Sequence, residues 1–397
     1  MAEESRPVVI TGIGIVSCLG EGPDAHWQRF MEARPAADTT TFAPYVVHPL
    51  APIELDKQIP KKGDQRQMEG WQRIGTFAAG LALESAGAKG NPELLARMDL
   101  IVAAGGGERD SAVDAAILTG LRAAEKPGAY LNERLMSDVR PTLFLAQLSN
   151  LLAGNISIVH NVTGSSRTFM GEESAGVDAL RIAAARIAAG QSDIVLVGGA
   201  HNGERLDLLL LREAGGHALK QPFAPVFERS ARRGGMALGS LGAFLVLEAP
   251  DHADARGAKP LARVSRVLSE RTGRRPGEVT AMLTRMWQSL EPSLAPGRVA
   301  ILSGASGAEP ATGEERRFLE SHPGIPARAT GTHIGHGLDT QFVMNVALAT
   351  LALRHGLLYP STSEAEADGA LAGLDQIVVT SVGYWRGEGM ALIEKAA

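Results

Sequence analysis

The sequence predicts an α/β protein of two similar halves, with buried helices lying between their sheets. Three observations lead there. Short β-branched runs repeatedly end in glycine-rich turns and give way to helical periodicity. Two segments, 176–189 and 341–353, are apolar on nearly every face, as a fully buried helix must be. The order of units in the first half then recurs in the second. Composition agrees. With 45% apolar residues, 5% aromatics and 46 glycines among 397 residues, the chain suits closely packed helix-on-sheet layers better than an all-β sandwich.

Taken in order, residues 8–11 read as a buried strand entering a tight turn at Gly12 and Gly14. A helix starts near Asp24 and includes Trp27, and another spans 71–86, stopping before Gly87. Residues 99–107 form a second strand-to-glycine unit. A helix over 143–152 leads into a strand over 156–162, and the buried helix 176–189 runs directly into a strand over 193–199. In the second half, strand 260–268, helix 279–289, strand 299–307, the buried helix 341–353 and strand 376–383 repeat this logic. Residues 222–235 read as an Arg-rich loop and 313–317 as another polar stretch.

The bulk numbers exclude several classes. A net charge of -5 with mixed signs gives no footprint for nucleic acid. No apolar run approaches the roughly 20 residues that span a bilayer, and the start, residues 1–7, is polar. The single cysteine, Cys18, forbids an internal disulfide framework. A cytoplasmic protein is the expectation. Gly12-x-Gly14 and Gly105 to Gly107 fall short of a dinucleotide fingerprint, so they read as tight turns and no cofactor is expected. His333, His336 and Asp339 could suggest a metal, but no wider ligand cluster accompanies them, and none is expected. Ser174 lacks a nucleophile elbow, because Glu172 occupies its first glycine position; a helix N-cap is expected there.

Residues 8–17 (VVITGIGIVS), 189–200 (AGQSDIVLVGGA), Pro222-Phe223, 235–239 (GMALG), 244–248 (FLVLE), Gly335-His336 and 351–354 (LALR) occur in an order and spacing that resemble the elongating β-ketoacyl-acyl-carrier-protein synthases, over essentially the whole chain. The resemblance implies a thiolase fold. Two pseudo-repeated βαβαβαββ halves, residues 1–250 and 251–397, would form a five-layer αβαβα sandwich. In that family a cysteine at the head of a buried helix carries the acyl chain as a thioester, since the helix end favours thiolate. Two histidines help decarboxylate malonyl-carrier and stabilise the oxyanion.

Carried onto this sequence, the resemblance finds those positions changed. Counting back from Gly190 puts the cysteine position at Glu173. Counting forward from the strand at 156–162 reaches it near Thr163, so 164–172 reads as an insertion or a remodelled turn. The first histidine becomes Ser303, while the second stays as His336. The usual lysine becomes Gly331, an acidic position becomes Ser240, and the C-terminal glycine turn becomes 383–389 (GYWRGEG). Cys18 lies in the first turn and reads as a small packing residue. Glu173 reads either as a carboxylate facing the old site or as a first-turn acid complementing the helix dipole.

Three functions follow. The chain is a non-catalytic partner of a cysteine-bearing synthase, in the manner of chain-length factors; or an atypical condensing enzyme; or a decarboxylase-like or acyl-binding relic. Loss of a nucleophile costs several powers of ten in rate, and an ionised Glu173 repels a malonyl carboxylate. The partner reading therefore leads. An acyl carrier protein and a homo- or heterodimer are the expected partners, in assembly of a long, specialised acyl chain. Arg229, Arg232 and Arg233 could meet an acidic carrier helix, or form a solvated loop.

Overall fold

The computed structural model describes residues 6–366 and 373–396, with backbone alone at 146 and 232. Ten strands carry the fold. They are β1 (Val9–Ser17), β2 (Asp99–Ala103), β3 (Ser166–Phe169), β4 (Ile194–His201) and β5 (Leu241–Glu248), then β6 (Ala262–Glu270), β7 (Val299–Ser303), β8 (Ala327–Ala329), β9 (Gln376–Val382) and β10 (Glu388–Lys395). The first five pair in the order β3-β2-β4-β5-β1 and the second five in the order β8-β7-β9-β10-β6. Each half thus runs third, second, fourth, fifth, first. In each, the first two pairings are parallel and the last two antiparallel. The half-sheets meet where β1 pairs with β6, through Val9 with Arg263 and Ile10 with Ala262.

The helices used below are α1 (Gly22–Met31), α2 (Gly70–Ser85), α3 (Ser111–Ala123), α4 (Pro127–Ser137), α5 (Leu151–His160), α6 (Glu173–Ala188), α7 (Leu206–Ala214), α8 (Glu278–Leu290), α9 (Ala311–Glu320) and α10 (Gln341–His355). Three apolar clusters mark the layers. One, around α2, covers the outer face of the first half-sheet through Phe77, Ala78, Leu196 and Phe244. A second joins α8 and α9 to the second half-sheet through Leu283, Trp287, Phe318 and Ile301. The largest lies between the half-sheets and holds α6 and α10, through Leu180, Phe342, Val346 and Leu351. The layers are αβαβα. Because helices cover both faces, β2, β4, β7 and β9 are almost continuously apolar and buried. The expected fold class is the one observed.

Glycine at two positions permits this closeness. A Cβ on Gly14 would stand 2.0 Å from the Ala78 carbonyl of α2, and one on Gly176 would stand 2.4 Å from the Asp339 carbonyl. Gly14 therefore serves helix-on-strand contact. The second brings α6 against the turn that bears Asp339.

One expected strand is overturned. Residues 156–162 do not form a strand; 151–160 form α5, and the strand before the buried helix is β3, ten residues further on. Tertiary contact decides it. Leu152, Ala153 and Ile156 lie on one helical face and are buried against α2 and the first half-sheet, and such packing overrides β propensity. Asn161, in the left-handed region with φ 60, ends the helix. Residues 164–172 accordingly hold β3 and its turns. The two counts differ because the strand lies later in the chain than its β-branched run suggests. The stretch around 313–317 is likewise helical, within α9. Its Glu314 and Glu315 are buried among hydrogen-bond partners that the sequence pattern did not show.

Candidate functional site

α6 begins at Glu173, and the chain enters it through Glu172 with φ 56 and ψ -132, a strained backbone for a residue with a side chain. The turn before α10 brings His336 to the same point. Its backbone is fixed on both sides: its N–H donates to Ala237 O at 2.8 Å, and its carbonyl accepts from Gly239 N–H at 3.1 Å. His336 Nε2 lies 3.2 Å from Glu173 Oε1, and the Tyr384 N–H donates to that same oxygen at 3.4 Å. Three separate segments thus converge on one buried carboxylate. Burial pushes the Glu173 carboxyl up, but the His336 hydrogen bond and attraction outweigh it and hold it below the usual range. Glu173 is therefore ionised and accepts from both neighbours. Its position at the helix head adds the favourable end of the dipole.

A second carboxyl sits close by. Asp339 is buried, and burial together with the Glu173 charge pushes it up to about 7. Two acids in one site, one held down and one held up, form the pattern by which proteins separate proton donor from acceptor. Glu172, pointing the other way from the same turn, lies 3.5 Å from Arg212 and accepts from the Tyr384 hydroxyl at 3.0 Å. Arg212 in turn stacks 4.6 Å above the Tyr384 ring. Glu172, His201, Arg212 and Asp339 line a cavity of about 300 Å³. His201 is neutral: burial, aided by Arg205 and Arg212, pushes it down to about 3.

Ser303 is held by other partners. Its hydroxyl donates to Glu315 Oε1 at 2.7 Å and accepts from the Ala305 N–H, while Thr380 joins the same carboxylate. Burial raises the Glu315 carboxyl. The structure therefore brings Glu173 and His336 into contact and ties the Ser303 hydroxyl to Glu315, which Thr380 also bonds. At Ser240 the hydroxyl donates to Glu204 Oε2 at 2.7 Å, so a carboxylate reaches this position from another segment.

Other expectations resolve. Burial raises the Cys18 thiol to about 12, and it contacts the His333 carbonyl at 3.3 Å; it is a packed thiol, not a thiolate. The His333 ring tilts against Phe30 at 4.6 Å. Ser174 is not an N-cap. Glu172 holds that position, and the Ser174 hydroxyl donates back to Gly171 O at 2.8 Å. Arg229 is buried and spends its guanidinium on the carbonyls of Ala224, Gly235 and Ser306, so it cannot meet a carrier. Arg233 is exposed, and the Arg232 side chain lies outside the described residues. Sequence reasoning missed Glu172, His201, Arg212 and Trp71. The usable signal was a histidine closing the apolar strand 194–201 and an arginine in the leucine-rich run 206–214.

Comparison with known proteins gives a consistent picture. The family profile "Beta-ketoacyl synthase, N-terminal domain" matches residues 5–253, more than half the chain. A 3-oxoacyl-[acyl-carrier-protein] synthase 2 of Vibrio cholerae is 28% identical over 272 residues, covering 65% of this chain. The chain spans 62% of that relative's length. Among solved structures, a beta-ketoacyl synthase from Burkholderia phymatum covers 99% of this chain and 100% of its own, with TM-score 0.80 and 18% identity. The ishigamide ketosynthase/chain length factor matches with TM-score 0.80, 19% identity and the same coverage. No helix among the described residues is long and apolar enough to cross a membrane.

Proposed function

The chain belongs to the beta-ketoacyl synthase family, and we propose that within fatty-acid or polyketide elongation it acts as a non-catalytic, chain-length-factor-like partner of a cysteine-bearing synthase. One observation carries this reading. The head of the buried helix, where the resemblance locates the nucleophile, holds the ionised Glu173 carboxylate clamped by His336 and Tyr384. A carboxylate there cannot hold an acyl thioester, and it repels the malonyl carboxylate that decarboxylation must bring in. The only thiol, Cys18, is packed and protonated.

The surface supports a partner. β3 pairs on one side only, with β2, and leaves an open sheet edge. Met170 follows β3 directly, Ile158 lies on α5, which packs against β3, and Leu211 shares a cavity wall with Met170; all three stand exposed. Exposed apolar residues beside an open sheet edge support docking there. The resemblance implies dimerisation through the strand before the nucleophile, expected at 156–162; that segment is helical, so β3 is taken as its equivalent. The solved ketosynthase/chain length factor with the same fold is a precedent for such a pair.

The test is direct. The purified chain, incubated with acyl-carrier protein, is expected to show no mass increase on the intact protein. An acyl adduct on any residue sinks the reading. Co-expressed with a complete synthase of the same pathway, it is expected to elute as a mixed dimer. Recovery of homodimer alone overturns the heterodimer while leaving the fold untouched.

A further inference from the structure

The seam between the half-sheets opens into a cleft away from the Glu173 site. β1 pairs with β6 only at Ala262 and Arg263, and β6 runs on to Glu270 with no strand on that side among the described residues. α6 packs against β6 there and residues 6–8 close the end, leaving a cleft of about 380 Å³. Among the described residues, Arg6, Arg181, Arg263 and Arg266 line it and no carboxylate does. Two local features gather these arginines. In a regular strand, residues three apart point to opposite faces. Ser265 is an extra residue in the ladder of β6 with β10, between Val264 paired with Ile393 and Arg266 paired with Leu392. That bulge brings Arg263 and Arg266, both exposed, to one side. On α6, Arg181 shares a face with Ala184 and Ala188. Both alanines are only half-buried, and their small side chains leave the room that the guanidinium groups surround. Arg181 lies roughly 12 Å along α6 from Glu173.

The counter-charges leave a surplus. Arg6 is held between Asp193 at 3.1 Å and Asp251 at 3.0 Å. Arg181 lies 3.4 Å from Asp178, which also accepts from the Ser269 hydroxyl and lies 3.8 Å from Arg271. Arg263 lies 3.7 Å from Glu394, whose oxygens also accept from the Ser265 hydroxyl and the Gln376 amide. Arg266 has no carboxylate within ion-pair reach among the described residues, and donates to the Ser289 carbonyl at 2.8 Å. Across these contacts arginine outnumbers carboxylate, and the pairs of Arg181 and Arg263 are long, shared and partly exposed. Such pairs contribute little, so they exchange readily for a better acceptor.

We propose that this cleft binds a small anion bearing a diphosphate. Phosphate oxygens and charge match several guanidinium forks at once, where a carboxylate satisfies one. Cations reaching in from three segments, with room to spare for one phosphate, favour two linked phosphates. The β3 edge lies four strand spacings from β1, roughly 19 Å. The proposal therefore stands apart from the partner reading, and neither depends on the other.

Calorimetric titration of the full chain with sodium pyrophosphate, at constant ionic strength, tests it. Saturable one-to-one binding is expected, with inorganic phosphate and citrate both weaker. Arg181→Gln and Arg266→Gln, checked for fold by circular dichroism, are each expected to weaken pyrophosphate at least about tenfold, the equivalent of one charge-assisted hydrogen bond. Arg285→Gln replaces an exposed arginine on α8, outside the cleft, and is expected to leave the affinity unchanged. Adenosine diphosphate separates the sources. Binding as tight as pyrophosphate or tighter assigns the cleft to a nucleotide, and weaker binding assigns it to free diphosphate. No saturation at millimolar pyrophosphate, citrate binding as tightly, affinity undiminished in either cleft variant, or an equal loss in Arg285→Gln overturns the proposal.

Discussion

At the scale of the residue, Glu173 and Asp339 set each other's charge. The native value of Asp339, about 7, lies above the roughly 3.9 of an unfolded aspartate. Between those limits the folded chain holds a proton that the unfolded chain has released. The stabilisation from this proton is complete below about pH 4 and is lost as pH rises through 7. Asp339→Asn cannot ionise, so its urea midpoint is expected to gain on the wild type between pH 5 and pH 8.5. Infrared difference spectroscopy reads the group itself: a carboxylic-acid carbonyl component lost between pH 5 and pH 9 in the wild type and missing from the same difference in Asp339→Asn. Glu173→Gln keeps an acceptor for His336 but removes the neighbouring charge. Its expected effect is a lower Asp339 midpoint, only partly restored because burial, the larger cause, persists. An unchanged midpoint would show that the two carboxyls do not interact. Glu173 could be found by counting along a helix, because helix length is rigid. Trp71, His201 and Arg212 could not, since they meet the cavity from three segments far apart in the chain.

At the scale of the element, α5 and β3 carry the lesson. The run Ile156, Ser157, Ile158, Val159 has the branched character of a strand, yet it is helical and leaves Ile158 on the surface. Local pattern reports the burial of alternate residues, but not which neighbour provides it. Where helices cover both faces, as for β2, β4, β7 and β9, the reading from sequence and the observed strands agree closely. β5, β8 and β10 are absent from that reading: β5 enters it only as the motif 244–248, β8 has three residues, too few to show a period, and Glu388 and Gly389 blur the start of β10. Ile158 also yields a prediction. Ile158→Glu replaces an exposed apolar side chain, so the isolated chain's stability is expected to change by no more than about 0.5 kcal/mol. The mixed dimer, measured by size exclusion after co-expression, is expected to weaken strongly, because a carboxylate would be buried there unpaired.

At the scale of the whole molecule, the halves repeat a wiring but share a core. The central cluster draws on β1, β4, β5 and α6 from the first half and on β7, β9, β10 and α10 from the second. The Glu173–His336 contact crosses the same seam. Calorimetry of the full chain is therefore expected to give one transition, with equal calorimetric and van't Hoff enthalpies. Residues 1–250 expressed alone would leave α6 without α10 and are expected to show no cooperative transition. A sharp transition in that fragment would mean that the repeat units fold as independent domains.

The two outer edges of the sheet differ. The edge at β3 is open, whereas β8, its counterpart by position in the repeat, is wholly buried, with Val226 and Phe227 packed over Ala305 and Ala329. A molecule with two open edges could add neighbours at both ends and grow into a fibre. With one edge sealed, a chain that docks through β3 has no second place to continue. On the proposed docking through β3, stoichiometry would follow from the repeat itself: an otherwise duplicated architecture would accept one neighbour across its sheet edge and then stop.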